Sequence, residues 1–204
     1  MYHKQGEMLA KVQDILGDDF LSLSISSYQL SEDFDSGIAR LTCKVSNAVT
    51  GQPLFTVESE GTGIIDALFN GLKAQLAPEY SSLNSISFND FSVKGIMSTR
   101  NAASGSDAEG QVELSVLSSE EHTFGFTATS RSISRASVEA TLKAVGYFVN
   151  SERAFIQVYN ILQHYRTEGR TDLVTKYQLL LSQMVEVTSY TEVIQQIKQK
   201  ELTS

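Results

Sequence analysis

Residues 57–76 read VESEGTGIIDALFNGLKAQL. The opening letters alternate as a strand does, Gly61, Thr62 and Gly63 interrupt them, and a helical pattern follows. Ile64, Ile65, Leu68, Phe69, Leu72 and Leu76 fall on one face of a helix spanning about 63–76. Pro78 stops it, since proline lacks the N–H and the room that another helical turn needs. A strand delivered straight into an amphipathic helix is one corner of a small α+β unit, so the segments on either side decide the rest.

Upstream, FLSLSISSYQL (20–30) sets Leu21, Leu23 and Ile25 against Ser22, Ser24 and Ser26, the two-residue period of a half-buried strand. SEDFDSG (31–37) reads as an acidic turn. Ala39, Leu41, Cys43 and Val45 then alternate with Arg40, Thr42 and Lys44 in a second strand, NAVTGQP (47–53) turns again, and LFTVES (54–59) is the third. Before all of these, Met8, Leu9, Val12, Ile15 and Leu16 have helical spacing, closed by Gly17.

Downstream the same order returns. SISFNDFSVKGIM (85–97) reads as a strand with a bulge placed near Gly95, and STRNAASGSDAEG (98–110) as a polar loop. Val112, Leu114 and Val116 share one face of the next strand, and Phe124, Phe126 and Ala128 one face of the one after. ISRASVEATLKAVGYFV (133–149) is helical, with Val138, Leu142, Val145, Phe148 and Val149 on one side. Laid over each other, GTGIIDALFNGLKAQL and SRASVEATLKAVGYFV align the two helix openings. Strand-strand-strand-helix therefore occurs twice, over about 20–78 and 85–150. A three-stranded sheet is marginal alone. The expected architecture is α+β, two pseudo-symmetric units packed together, with an N-terminal helix over 1–19 and a helical extension over 166–204 beyond a domain of 20–165. Within the helical remainder, Phe155, Val158, Tyr159 and Leu162 form one amphipathic stretch, broken at TEGRT (167–171). From 171 onward Leu173, Tyr177, Leu180, Met184, Val187 and Ile194 approach heptad spacing, which suits either a helix laid over the core or a coiled coil between chains.

The formal net charge is −8 with no cluster of Lys or Arg, which argues against nucleic acid or acidic membrane surfaces as partners. No apolar run approaches the roughly 20 residues of a bilayer span, and the first residues lack the pattern of a secretion signal. With a single cysteine, Cys43, there is no internal disulfide framework, and the expected location is the cytoplasm.

Catalytic and metal chemistry find no foothold. His3, His122 and His164 are scattered without ligand spacing, Cys43 sits on the apolar side of its strand, and no serine lies in a Gly-x-Ser-x-Gly elbow. No glycine loop has phosphate- or dinucleotide-binding spacing. Counting twelve residues from Asp33 reaches Lys44 where a calcium loop needs its bidentate Glu. No cofactor is implied, and the chain is not expected to be an enzyme.

The glycine turn is the candidate site. Gly61 and Gly63 permit positive φ and close approach of a ligand to the backbone. The first N–H groups of the helix are unsatisfied and suit a carboxylate. Asp66, in the first turn, complements the dipole and suits an ammonium group. Ile64, Ile65 and Leu68 offer an apolar wall. The plainer alternative is that the glycines only make the turn. At the other helix, SRSISRAS (130–137) holds Arg131, Arg135 and several hydroxyls, either an anion site or an ordinary serine cap. Asp107, in SGSDAEG, is a turn residue or a pocket liner.

The pattern Gly61-x-Gly63-x-x-Asp66-Ala67-Leu68-Phe69 after a strand resembles the C-terminal regulatory domain of α-isopropylmalate synthase, shared with citramalate synthases. GSDAEGQVELSV (105–116) is similar to that family's Gly-x-Asp-Ala loop, which places Asp107 and Ala108 there, and Phe91 falls at the aromatic position of a family strand. SVEATLKAVGYFVN (137–150) is like the family's second helix. Together these cover roughly 20–165. The chain departs from the family at Thr62 and Ile64, where Asn and Pro are usual, and at Ala136, where the second helix usually opens with Asp.

The resemblance implies two strand-strand-strand-helix units, here free-standing, since 204 residues leave no room for a (β/α)₈ enzyme barrel of about 250 residues. It implies a homodimer that binds leucine or a similar small hydrophobic amino acid through Gly61, Thr62, Gly63, Ile64, Ile65, Asp66, Phe91, Asp107 and Ala108, with a separate synthase as its partner. The competing expectation is a scaffolding dimer whose ligand site has degenerated and which acts through protein contacts.

Overall fold

The computed structural model describes residues 2–96, 109–185, 190, 193–195 and 197. It contains α1 (Tyr2–Leu16), β1 (Leu23–Asp33), β2 (Ile38–Asn47), β3 (Pro53–Gly61) and α2 (Ile64–Leu76), then β4 (Ile86–Ile96), β5 (Glu109–Ser118), β6 (Thr123–Ser130), α3 (Ile133–Thr167) and α4 (Thr171–Val185). Short 3-10 turns at Gly17–Asp19 and Ser81–Asn84 precede β1 and β4. The two sheets are antiparallel, in the orders β1-β2-β3 and β4-β5-β6. The expected α+β architecture of two like units is the observed one.

Alternation sets the inner faces. Ala39, Leu41, Cys43 and Val45 of β2 are buried, as are Val112, Leu114 and Val116 of β5 and Phe124, Phe126 and Ala128 of β6. These residues meet Leu68, Phe69 and Leu72 of α2 and Val138, Val145 and Phe148 of α3 in one core spanning both units. Neither sheet could bury its apolar face alone.

Register makes the duplication concrete. Ile25 pairs with Val45 and Tyr28 with Cys43, so Ser26 and Ser27 together oppose Lys44. Phe88 pairs with Val116 and Phe91 with Leu114, so Asn89 and Asp90 oppose Ser115. The same two-for-one bulge therefore occurs in β1 and in β4, and Tyr28 and Phe91 are structural equivalents. The bulge in β4 is at Asn89, not near Gly95. The ends of β3 and β6 correspond as well, with Gly61 opposite Ala39 and Ser130 opposite Gly110. This aligns Ile64-Ile65-Asp66 with Ile133-Ser134-Arg135, one helical turn earlier in α3 than the sequence overlay. The overlay slipped because apolar positions four apart lie on the same helix face.

Two further boundaries differ from the sequence reading. β1 runs on through Ser31, Glu32 and Asp33, and only Phe34–Gly37 turn. α3 is a single helix of 35 residues through the polar triplet Asn150-Ser151-Glu152, which is fully buried and in which the Asn150 and Glu152 side chains are hydrogen-bonded. Asn150 exchanges two bonds with the Leu21 backbone, both 2.8 Å. Glu152 accepts from the backbone N–H groups of Ser81 (3.2 Å) and Ser82 (2.9 Å) at the start of the linking 3-10 turn.

Beyond that triplet a second core forms from Met8, Val12 and Leu16 of α1, Ala154, Phe155 and Val158 of α3, Met184 of α4, and Tyr190 and Val193. The Tyr190 ring stacks on Phe155 at 4.3 Å. α3 and α4 are separated at the break read from TEGRT, where Gly169 takes a φ of +69°. α4 thus packs within the chain, against the far half of α3 rather than over the sheets.

Candidate functional site

β3 carries the chain into α2 at the point where the sequence first raised a question. Neither glycine there has positive φ; Gly63 is fully extended at φ −178° and ψ −179°. The conformational freedom expected of them is not used. Gly61 is instead required for space, because a Cβ on it would collide with the Ala67 backbone nitrogen and lie 2.7 Å from an Asp66 carboxylate oxygen and 2.8 Å from the Ala67 Cα. A Cβ on Gly63 would meet nothing within 4 Å.

Close seating of α2 on β3 is reinforced by the Ser59 hydroxyl donating to the Ala67 carbonyl (2.6 Å) and by Asn70 donating to the Glu60 carbonyl (3.1 Å). Asp66 folds back on the loop and accepts from the Thr62 N–H at 2.9 Å. One carboxylate oxygen is therefore committed to holding the turn. Gly63 is the N-cap and supplies no side chain to the first amides of α2, which leaves the positive end of that helix uncapped by its own residues.

The start of α2 abuts the bulged edge strand of the other unit. Between them lies a groove of about 630 Å³. It brings together Thr62, Gly63, Ile64, Ile65 and Asp66 with Phe91, but not Gly61, and adds the other bulge residues, Phe88, Asn89 and Asp90. Glu32 of β1 and the first turn of α3, Ile133 and Ser134, close the remaining sides. Phe88 meets Phe69 edge-on at 4.7 Å, which ties this wall to the core. Phe91 and Ile133 remain 46% and 52% exposed, large apolar surfaces left open at the rim. Leu68 faces the core and not the groove. Asp107 and Ala108 lie outside the described residues.

The bulge residues, Glu32 and the start of α3 were missed because they join the site across the unit boundary. The signal available was the FNDF stretch, whose two polar residues interrupt the alternation of β4. Every ionisable side chain on the described lining, Glu32, Asp66 and Asp90, is an acid.

The opening of α3 is different. Ser132 is a working N-cap that accepts from the Arg135 N–H at 3.3 Å, and the Arg135 side chain pairs with Glu139 at 2.8 Å. Ser132 therefore acts as an ordinary serine cap at the start of α3. Cys43 is buried among apolar neighbours, and burial pushes its thiol pKa up. Among the described residues no three His, Cys, Asp or Glu side chains gather as a cation site would need. Among the same residues no helix is long and apolar enough to cross a membrane.

The model of the LeuA allosteric (dimerisation) domain matches residues 4–149, from the first turn of α1 to the middle of α3. No curated protein matches the chain. The matched span takes in both sheets, α2 and the groove at its start. By that match, the chain belongs to the LeuA allosteric (dimerisation) domain family, a regulatory family without catalytic machinery of its own.

Proposed function

We propose that this protein is a homodimeric, non-catalytic regulator, acting in the cytoplasm, whose groove at the start of α2 binds leucine or a similar small hydrophobic amino acid and so modulates a partner enzyme of branched-chain amino-acid biosynthesis. One observation carries the reading: Thr62–Asp66 and Phe91, far apart in sequence, line one groove in a domain of an allosteric family. A free amino acid has a carboxylate for the uncapped amides of α2, an ammonium group for Asp66, Asp90 or Glu32, and a side chain for Ile64, Ile65 and Phe91. Regulation follows only if the ligand prefers one arrangement of the dimer, since equal affinity for two states shifts neither.

Gly63 provides the test. A side chain there has open space in the free protein, so Gly63→Asp preserves the fold while filling the groove mouth with a fourth acid. Leucine at 100 times its Kd should stabilise the native protein by about 2.7 kcal/mol, read as a rise in Tm, and Gly63→Asp should remove that rise. If no amino acid at millimolar concentration moves Tm, the amino-acid reading is wrong. The second reading, a scaffolding dimer with a degenerate site, is favoured by one observation: the equivalent start of α3 is capped by its own Ser132 and carries Arg135 in the place of Asp66. It predicts a dimer in solution that is unchanged by Gly63→Asp and unresponsive to amino acids.

A further inference from the structure

The internal pseudo-symmetry relates the groove just described to a second one. Ile25, Ser26, Ser27 and Tyr28 of β1 stand where Phe88, Asn89, Asp90 and Phe91 stand in β4, and Arg135 of α3 stands where Asp66 stands in α2. These equivalents line a groove of about 1000 Å³ between β1, β6 and α3, closed at one end by α1. Its chemistry is inverted. Among their described lining residues, the first groove holds three acids and no base, whereas the charged side chains of the second are Arg135, Glu139 and Lys143, a balance of one positive charge. Asp90 has become Ser27 and Asp66 has become Arg135. In a chain of net charge −8, a groove with a positive balance stands out as the more favourable of the two grooves for an anion.

The groove is also longer. From Arg135 to Asn150 it follows α3 for about 22 Å at 1.5 Å per residue. The half-buried Leu23 and Ile25 form one wall and Val138, Leu142 and Phe126 the floor. Three of the polar side chains along its sides are already engaged. Asn150 holds the Leu21 backbone, Gln5 exchanges two bonds with the Gly125 backbone (3.0 and 3.2 Å), and Lys143 donates to the Thr127 carbonyl (2.8 Å). The edge of β6 is thus partly occupied at Gly125 and Thr127. What remains is an apolar trough with one exposed guanidinium at its mouth. Arg135 is 74% exposed and its side chain pairs with Glu139; a surface ion pair of this kind is weak and opens readily.

We propose that this second groove binds an elongated aliphatic carboxylate, with the chain lying along α3 and the carboxylate on Arg135. The inference does not depend on amino-acid binding at the first groove. The experiment is titration calorimetry of the full chain with octanoate, octanamide and octylamine, which share a chain and differ in head-group charge. Octanoate should bind at least tenfold more tightly than the amide, and octylamine should not bind. Arg135→Gln should weaken octanoate at least tenfold. Glu139→Gln, which frees the guanidinium, should strengthen it several-fold, a sign that a merely structural role for the pair would not produce. Gly63→Asp should leave octanoate binding unchanged while it removes the leucine response, so the two sites fail separately. Equal binding of octanoate and octanamide, undiminished binding in Arg135→Gln, weaker binding in Glu139→Gln, or no octanoate binding at millimolar concentration would each overturn the proposal.

Discussion

A methyl group added at Gly61 would press on the backbone of Ala67 with no flexible side chain to yield, whereas the same group at Gly63 would stand in open space on an extended backbone. Gly61→Ala should therefore destabilise the fold by about 1–3 kcal/mol through overpacking. Gly63→Ala should leave stability unchanged or raise it by about 0.4–1 kcal/mol, because the unfolded chain loses freedom; urea unfolding of both variants decides. The sequence marked this pair as special but not why. A glycine letter records either a need for positive φ or a need for no Cβ, and only the packing of α2 against β3 separates the two. Asp33 belongs to the same scale. The Ser36 backbone N–H, then the Ser36 hydroxyl and the Asp35 N–H, hold its carboxyl below the usual carboxylate range. Its folded value lies under its unfolded one, so the charged form stabilises the β1–β2 turn above the unfolded pKa, and that contribution is lost as pH falls through the folded value. An NMR titration of the Asp35 and Ser36 amides should follow Asp33 at a pH below that of an unfolded-peptide control.

At the scale of elements, the strands of the inner faces were legible because alternation is a local property. Cys43, Leu114 and Phe126 are buried where two-residue spacing put them. The continuity of α3 was not. Asn150, Ser151 and Glu152 look like the end of a helix, and the partners that make them tolerable in its middle are 129 positions away at Leu21 and 70 and 71 away at Ser82 and Ser81. Glu152 is 1% exposed, and it anchors the linker between the two units to α3. Glu152→Ala strands two buried N–H groups and should cost about 2–4 kcal/mol, whereas Glu152→Gln keeps an acceptor and should cost less. Thermal unfolding of the two variants side by side tests that order; equal losses would mean that the linker is held by something else.

For the molecule as a whole, the lining of the candidate groove was legible by halves. The residues of the α2 start and Phe91 carried the family's pattern, but the remainder of the groove comes from pairing one unit's helix with the other unit's bulged strand, a relation no window of sequence contains. The two cores also divide the molecule in a way composition does not reveal. Val158 is 1% exposed in the helical core, while Cys43 is buried in the core shared by the sheets. Val158→Asp places an unpaired charge in the former. It should lower the temperature at which α4 detaches, read by helical circular dichroism, while Cys43 stays inaccessible to a thiol reagent until a higher temperature. Simultaneous exposure of Cys43 would mean that both cores melt as one.

The unbroken α3 joins those cores in a mechanical sense. Its first turn borders both grooves and its last half carries the helical core, at opposite ends of a rod about 52 Å long. A rod pivoting at one end is a lever. A tilt of about 5° at the groove end, comparable to the rearrangement of a few side chains, carries the other end through about 4–5 Å, on the order of the shifts by which packed helices exchange one arrangement for another. A hinge at residues 150–152 would absorb such a rotation; their buried hydrogen bonds stiffen the rod at the one place where its sequence looks weakest.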